Sequence, residues 1–212
     1  WIMILGLIIA IGPLSIYMYL PALPSMAQDF GVATAFMSNS VPAYFVGLVV
    51  GQLFYGPISD RIGRIKPLYV GMVLYVIASV MCATTTNEYV LFVSRTLQAL
   101  GACVGTVVSR AMIRDRLHPK QMAKAFSLMV LVMGIAPILA PSLGSLLLKV
   151  ASWRVIFWFL AGFGILNIVL TRLFLHETLT DEFRNNRPMN DVLSQYWDLL
   201  KDTQFNYPAI GA

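Results

Sequence analysis

Apolar residues fill most of this chain, and ionised ones fall in narrow bands between long apolar stretches. No Asp, Glu, Lys or Arg occurs in residues 1–28, 30–59, 67–87, 125–148 or 155–171. Most of these stretches reach the roughly 20 residues that a helix needs to cross the hydrocarbon. The last is shorter, but Trp153 and Arg154 extend it at the interface. The pattern predicts six spans, at 1–21, 36–58, 67–86, 89–112, 123–149 and 153–174. They are too long and too uniformly apolar for the alternating strands of a barrel. A spanning segment must satisfy its own backbone, so each is read as a helix and the fold class as an all-α membrane protein. Residues 1–174 form the bundle in this reading, 175–205 a polar and then amphipathic connection, and 206–212 the start of a seventh span. Within the connection, Val192, Leu193, Tyr196, Leu199 and Leu200 share one helical face behind Asn190 as N-cap, the pattern of a helix lying on the membrane surface.

Composition agrees. Charged residues make up 12% of the chain, against about 25% in a soluble domain. The net charge of +5 does not suggest nucleic acid, because the bases sit between the spans. Arg61, Arg64 and Lys66 fall in one band. Arg110, Arg114, Arg116, Lys120 and Lys124 fall in a second, and Arg172, Arg184, Arg187 and Lys201 in a third. Only Lys149 and Arg154 fall on the other side, so the basic side, with the start of span 1, is expected to face the cytoplasm. The first span lacks the basic leader and small-residue cleavage site of a secretory signal. The chain opens at Trp1 inside one apolar run and closes inside another, and so reads as a piece of a longer protein.

Cys82 and Cys103 lie in apolar spans and read as small core residues. "HETL" lacks the second His of a zinc-protease helix, and "GACVG" sits inside a span. No enzyme, metal or cofactor is expected. Gly47 and Gly51, and Gly101 and Gly105, have the spacing that lets helix backbones approach closely in lipid. Gly56 is expected to let span 2 pack closely. In span 5, Gly134, Pro137, Pro141 and Gly144 share a face, which suggests a bent helix along a tight seam. Arg95 stands about two turns into span 4, with Gln98 one turn on. An intramembrane Arg is costly and calls for a polar partner or cavity, while snorkelling to the outer interface is the plainer alternative. Met129 and Met133 offer a soft wall for varied substrates. No Asp or Glu lies within the predicted spans.

"GPISDRIGRIKP", "RTLQALG" and "APILAPSLGS" occur in this order, with "YLPALP", "SRAMIRD" and "WRVIF" beside them. Together they resemble the major facilitator superfamily, and within it the twelve-helix drug:proton antiporters of the bicyclomycin and chloramphenicol resistance branch. The resemblance implies the first six-helix half of a two-half transporter, built as a three-plus-three repeat. It implies a bacterial inner-membrane exporter of drugs or small amphipathic molecules, working by alternating access against protons. The lipid bilayer, a small-molecule substrate and the second half of the transporter are the implied partners.

By resemblance, Asp60 and Arg64 belong to a cytoplasmic latch with Gly56, Arg61, Gly63 and Lys66. Asp60 and Arg64 are one turn apart and can pair, leaving Arg61 and Lys66 to water or headgroups. Arg95, Gln98, Tyr17 and Tyr44 are cavity and coupling candidates. Tyr17 departs from the family pattern by standing where that branch has Asp. A phenol supplies a hydrogen bond in place of a carboxylate. Coupling through a carboxylate in the second half, or a facilitator, importer or exchanger without proton coupling, both remain open on the sequence. A half that does not transport alone is a further alternative.

Overall fold

Helices begin and end where the sequence places breakers and charges. The computed structural model describes residues 1–179. α1 (Ile2–Tyr17) gives way to a 3-10 turn at Leu20–Ala22, and α2 (Leu23–Phe30) continues the same span. Pro21 and Pro24 sit in the first turns of these pieces, where a backbone N–H has no helical acceptor. Gly31, at φ 67°, closes α2 in the left-handed conformation. A single turn, α3 (Thr34–Met37), leads into α4 (Ser40–Ile62). α5 (Ile65–Thr84), α6 (Glu88–Arg116), α7 (Pro119–Val150) and α8 (Arg154–Phe174) follow. The Asn87 side chain caps α6 by accepting from the N–H groups of Tyr89 and Val90. Glu88 in its first turn and Arg114 and Arg116 in its last complement the helix dipole.

Six helical stretches are long and apolar enough to cross a membrane: Ile2–Phe30, Thr34–Ile62, Ile65–Thr84, Glu88–Arg116, Pro119–Val150 and Arg154–Phe174. The chain is an all-helical, multi-pass membrane protein, with no strand among the described residues. Several helices overrun the apolar runs. α4 carries Asp60 and Arg61 in its last turn, so the expected 59–66 connection shrinks to Gly63 and Arg64. The expected surface helix and the start of a seventh span lie outside the described residues.

α6 is the hub, packed along α4, α5 and α1. Apolar burial gives little drive between helices in lipid, so close backbone approach supplies the dispersion instead. A methyl on Gly47 would overlap the Thr96 carbonyl of α6, and one on Gly51 would press on Cys103. On the opposite side of the hub, a Cβ on Gly101 would lie 2.6 Å from the backbone nitrogen of Tyr75, and one on Gly105 2.8 Å from Ile8. The Thr96 hydroxyl adds a bond of 2.9 Å to the Ala43 carbonyl across the same contact.

Gly56 behaves otherwise than expected. Among the described residues, a Cβ there would meet nothing within 4 Å. The span-5 stripe also divides. Gly144 packs so closely on the Met18 carbonyl of the first span that a methyl would overlap it, whereas the space around Gly134 is open and its surface exposed. Pro137 and Pro141 are half-buried. The buried side of α7 is Ala125, Met129, Ala136, Ala140 and Gly144, one step round the helix from the Gly/Pro stripe. α4 and α7 are the least covered of the six spans, with Val46, Val49, Val130 and Ile138 more than half exposed.

These contacts sort the glycines by consequence. Gly47→Ala and Gly144→Ala force backbone apart and are expected to cost about 1–3 kcal/mol each. Gly56→Ala gains up to about 1 kcal/mol of helix propensity. Thermal unfolding of the purified protein in detergent checks the ordering: equal midpoints for the three variants would contradict the packing around α6 and α7.

Candidate functional site

Two polar clusters stand out in the apolar bundle, one at mid-depth and one at the end where α4, α5 and α6 carry their bases. The first is built around Arg95, whose side chain is fully buried and has not snorkelled to the interface. Its guanidinium carbon lies 4.1 Å from the ring centre of Tyr19 and 4.3 Å from that of Tyr44, with Phe157 at 5.7 Å. Nη2 donates to the Ser15 carbonyl at 2.9 Å, and Nη1 donates to the Gln98 side-chain oxygen. Gln98 passes the polarity on, donating to Ser79 Oγ at 2.7 Å. The Ser15 hydroxyl donates to the Ile11 carbonyl and pairs with Tyr75 at 2.7 Å.

Magnitudes explain why the charge stays inside. An Arg at the helix centre costs about 3 kcal/mol on insertion scales. Desolvated cation–π contacts return about 2 kcal/mol each, and charge-assisted hydrogen bonds about 1.5–3 kcal/mol each. Among the described residues, no carboxylate is a partner of Arg95. Among the described residues, its Nε and the Tyr44 hydroxyl are buried without a hydrogen-bond partner.

The structure brings Arg95, Gln98 and Tyr44 together and leaves Tyr17 outside. Tyr17 is half-buried, and the ring on Arg95 belongs to Tyr19, two residues on. Tyr17 closes α1, whereas Tyr19 lies in the turn that follows it. Ser15, Tyr19, Tyr75, Ser79 and Phe157 were not among the sequence candidates. Their signal was faint: Ser15 and Tyr19, and Tyr75 and Ser79, are polar pairs at i, i+4 inside apolar runs. Met129 is buried and lines a groove between α1 and α7, and Met133, one turn further along α7, is 36% exposed.

The second cluster centres on Arg64. Its Nη1 donates to the Asp60 carboxylate and to Ser59 Oγ, while Nε and Nη2 grip Asp115 at 2.8 and 3.3 Å. Arg64 thus ties the end of α4 to the end of α6 with a bidentate fork. Burial pushes its pKa down, but the hydrogen bonds to Asp115 and Asp60 outweigh that and raise it. Lys66 is exposed and Arg61 half-buried, so neither joins the node.

Glu177, from the "HETL" segment, completes the node, which the sequence reading did not foresee. Its carboxylate accepts from the backbone N–H groups of Arg64 at 2.9 Å, Ile65 at 3.2 Å, Thr178 at 3.0 Å and Leu179 at 3.1 Å. The Thr178 hydroxyl donates to Asp115 at 3.0 Å. Gly63 is required twice. Its φ is 95°, and a Cβ there would lie 2.9 Å from the Glu177 carboxyl carbon. A third cluster marks the opposite end. Asp29 accepts from Trp153 Nε1 at 3.0 Å and from the Arg154 guanidinium, which also donates to the Thr85 carbonyl.

The Glu177 anchor has a pH signature. Partial burial pushes its pKa up, but the four N–H donors dominate and lower it. A lowered native pKa gives stability that is fully present above the unfolded value of about 4.3 and is lost as pH falls through the native one. Glu177→Gln is therefore expected to unfold at a lower temperature than wild type between pH 6 and 8, with the gap closing below about pH 4. A gap that is constant down to pH 3 would show that the anchor does not depend on the carboxylate's charge.

The model of the Major Facilitator Superfamily matches residues 5–204. The MFS-type transporter YdgK of Bacillus subtilis is 39% identical over 204 residues, which cover 95% of this chain and 51% of YdgK. Multidrug resistance protein D of Escherichia coli K12 is 36% identical over 159 residues, covering 75% of this chain and 40% of that protein. The chain thus spans about half the length of the curated relatives it matches. The human organic anion transporter MFSD10 has the same fold over 90% of this chain and 51% of its own, with a TM-score of 0.70 at 17% identity. The match that runs nearly the length of the chain, on a bundle of six spanning helices, leaves one assignment: this chain belongs to the major facilitator superfamily.

Proposed function

We propose that the chain is the first half of a bacterial cytoplasmic-membrane exporter that moves drugs or small amphipathic molecules by alternating access. The likeness to Multidrug resistance protein D over 159 residues carries this reading. Geometry supports it. α4 and α7 leave long apolar faces uncovered, as helices that receive a second six-helix half must. The Arg64 node lies at the basic end that positive-inside topology assigns to the cytoplasm, where a latch between halves would close. Arg95 and Gln98 are the proposed coupling and cavity residues, with Tyr44 and Tyr19 positioning the guanidinium. Proton antiport on this reading uses a carboxylate of the second half, because the mid-depth cluster described here contains none. Tyr17 in place of an acid favours a second reading, exchange or facilitation without proton coupling. Drug transport by the full-length protein that ignores an imposed pH gradient would select it.

Two variants test the roles. Asp60→Asn is expected to cripple efflux from cells expressing the full-length protein while leaving membrane insertion intact. Normal efflux at normal expression would remove Asp60 from the latch. Arg95→Ala is expected to impair efflux far more than Lys149→Ala, with Arg95→Lys failing as well, because an ammonium cannot reproduce the fork between Ser15 and Gln98. Equal, mild losses for Arg95→Ala and Lys149→Ala would reduce Arg95 to a structural staple.

A further inference from the structure

The groove between α1 and α7 has a polarity of its own. Its inner part encloses about 290 Å³ and is walled by Gly6, Ala10, Leu128, Met129 and Val132. Ile2 and Leu128 continue it into a wider mouth of about 450 Å³, where Lys120, Gln121 and Lys124 form the polar lining. Lys120 and Lys124 stand at i, i+4 on one face of α7, both exposed, an arrangement of like charges that disfavours itself. Among the described residues, no ion pair takes up either lysine. Among the described residues, Asp60 and Asp115 are held by Arg64, and Asp29 is bound to Arg154. Glu177 is taken up by backbone N–H groups. Glu88 lies at the far end of α6, in its first turn.

The apolar interior adds to this field. Arg95 donates to the Ser15 carbonyl, five residues beyond Ala10 along the first helix and so about 7.5 Å deeper. Among the described residues its charge has no carboxylate partner, and it sits in a low-dielectric bundle, where water and salt screen it weakly. A ligand in the groove thus meets two lysines at the mouth, an apolar wall, and a fixed positive potential beyond it. A cation is repelled at the mouth and again by the potential beyond the wall, an anion is attracted by both, and the wall itself favours an apolar body over either charge.

We infer that the groove between α1 and α7 admits organic anions with an apolar body, and that these are the substrate class of the transporter. The carboxylate or sulfonate sits between Lys120 and Lys124, with Gln121 as a further donor, and the apolar body lies against Met129 and Val132. This rests on the exporter reading above.

The test uses the full-length protein in inside-out vesicles with two dyes on one xanthene frame, anionic fluorescein and cationic rhodamine 123, and neutral chloramphenicol as a third probe. Saturable fluorescein uptake is expected, with rhodamine 123 at least about tenfold lower in kcat/KM. Lys120→Gln with Lys124→Gln should raise the fluorescein KM about tenfold at similar kcat, and Lys120→Arg with Lys124→Arg should restore it. Preference for rhodamine 123, transport of chloramphenicol without fluorescein, or a fluorescein KM unmoved by the double Gln variant overturns the inference and leaves the exporter standing. Phosphatidylglycerol that co-purifies with the wild type and not with the double Gln variant, alongside unchanged fluorescein kinetics, makes the mouth a lipid site and overturns it equally. Transport of none of the three probes by well-inserted protein overturns both readings.

Discussion

A full positive charge held inside an apolar bundle sets the terms for the rest of this structure. Arg95 is kept there by two aromatic faces, a backbone carbonyl and a carboxamide, drawn from the first, second and fourth spans. Each partner must arrive at a fixed distance, so the helices that carry them have little freedom to slide. Phe157 extends the constraint to α8, and from there ring contacts run to Trp153 and the Asp29–Arg154 pair at the end opposite the Arg64 node. A perturbation at that pair has a continuous packed route to mid-depth, through Trp153, Phe157 and Tyr19.

Lipid supplies no hydrophobic drive to compress such a bundle. The compression comes from glycines, placed where α4, α5 and α1 touch α6 and where α7 touches the first span. The Arg64 node at the basic end then fixes what packing alone leaves loose, with Arg64 joining α4 to α6 and Glu177 binding the segment after α8 to the start of α5. The half is stapled at both ends and caged in the middle, while α4 and α7 keep apolar faces uncovered. A bundle held in this way suits the rocking that the proposed alternating access requires.

The spans were legible because a long charge-free run in a membrane has one solution, a helix. Their ends were less so. Asp60 and Arg61 read as loop but stay in α4, since helical winding continues past the hydrocarbon until Gly63 breaks it. The Asp60–Arg64 pair followed from spacing, but Asp115 and Glu177 are 51 and 113 residues from Arg64, and no local pattern announces such partners. Arg95 was conspicuous as a lone charge in an apolar run. Of its cage, Gln98 and Tyr44 were among the candidates, but Tyr19 was not, because nothing local shows which of nine tyrosines meets the charge. Tyr17 drew notice through the family pattern, while the contact belongs to Tyr19, in the turn after α1.

The choice of aromatic rings over a carboxylate for Arg95 has a mechanistic edge. An internal ion pair would cancel the charge within this half and make it electrically silent. Rings and carbonyls hold the cation in place without cancelling it. The charge therefore still acts on anything that enters beside the bundle, whether a substrate or a carboxylate of the proposed second half. At the basic end the opposite choice is made, and Arg64 is offset by two acids so that it binds structure and little else. One arginine is neutralised where rigidity is wanted, and the other is left uncompensated where alternating access, on the proposed reading, needs a charge to respond to.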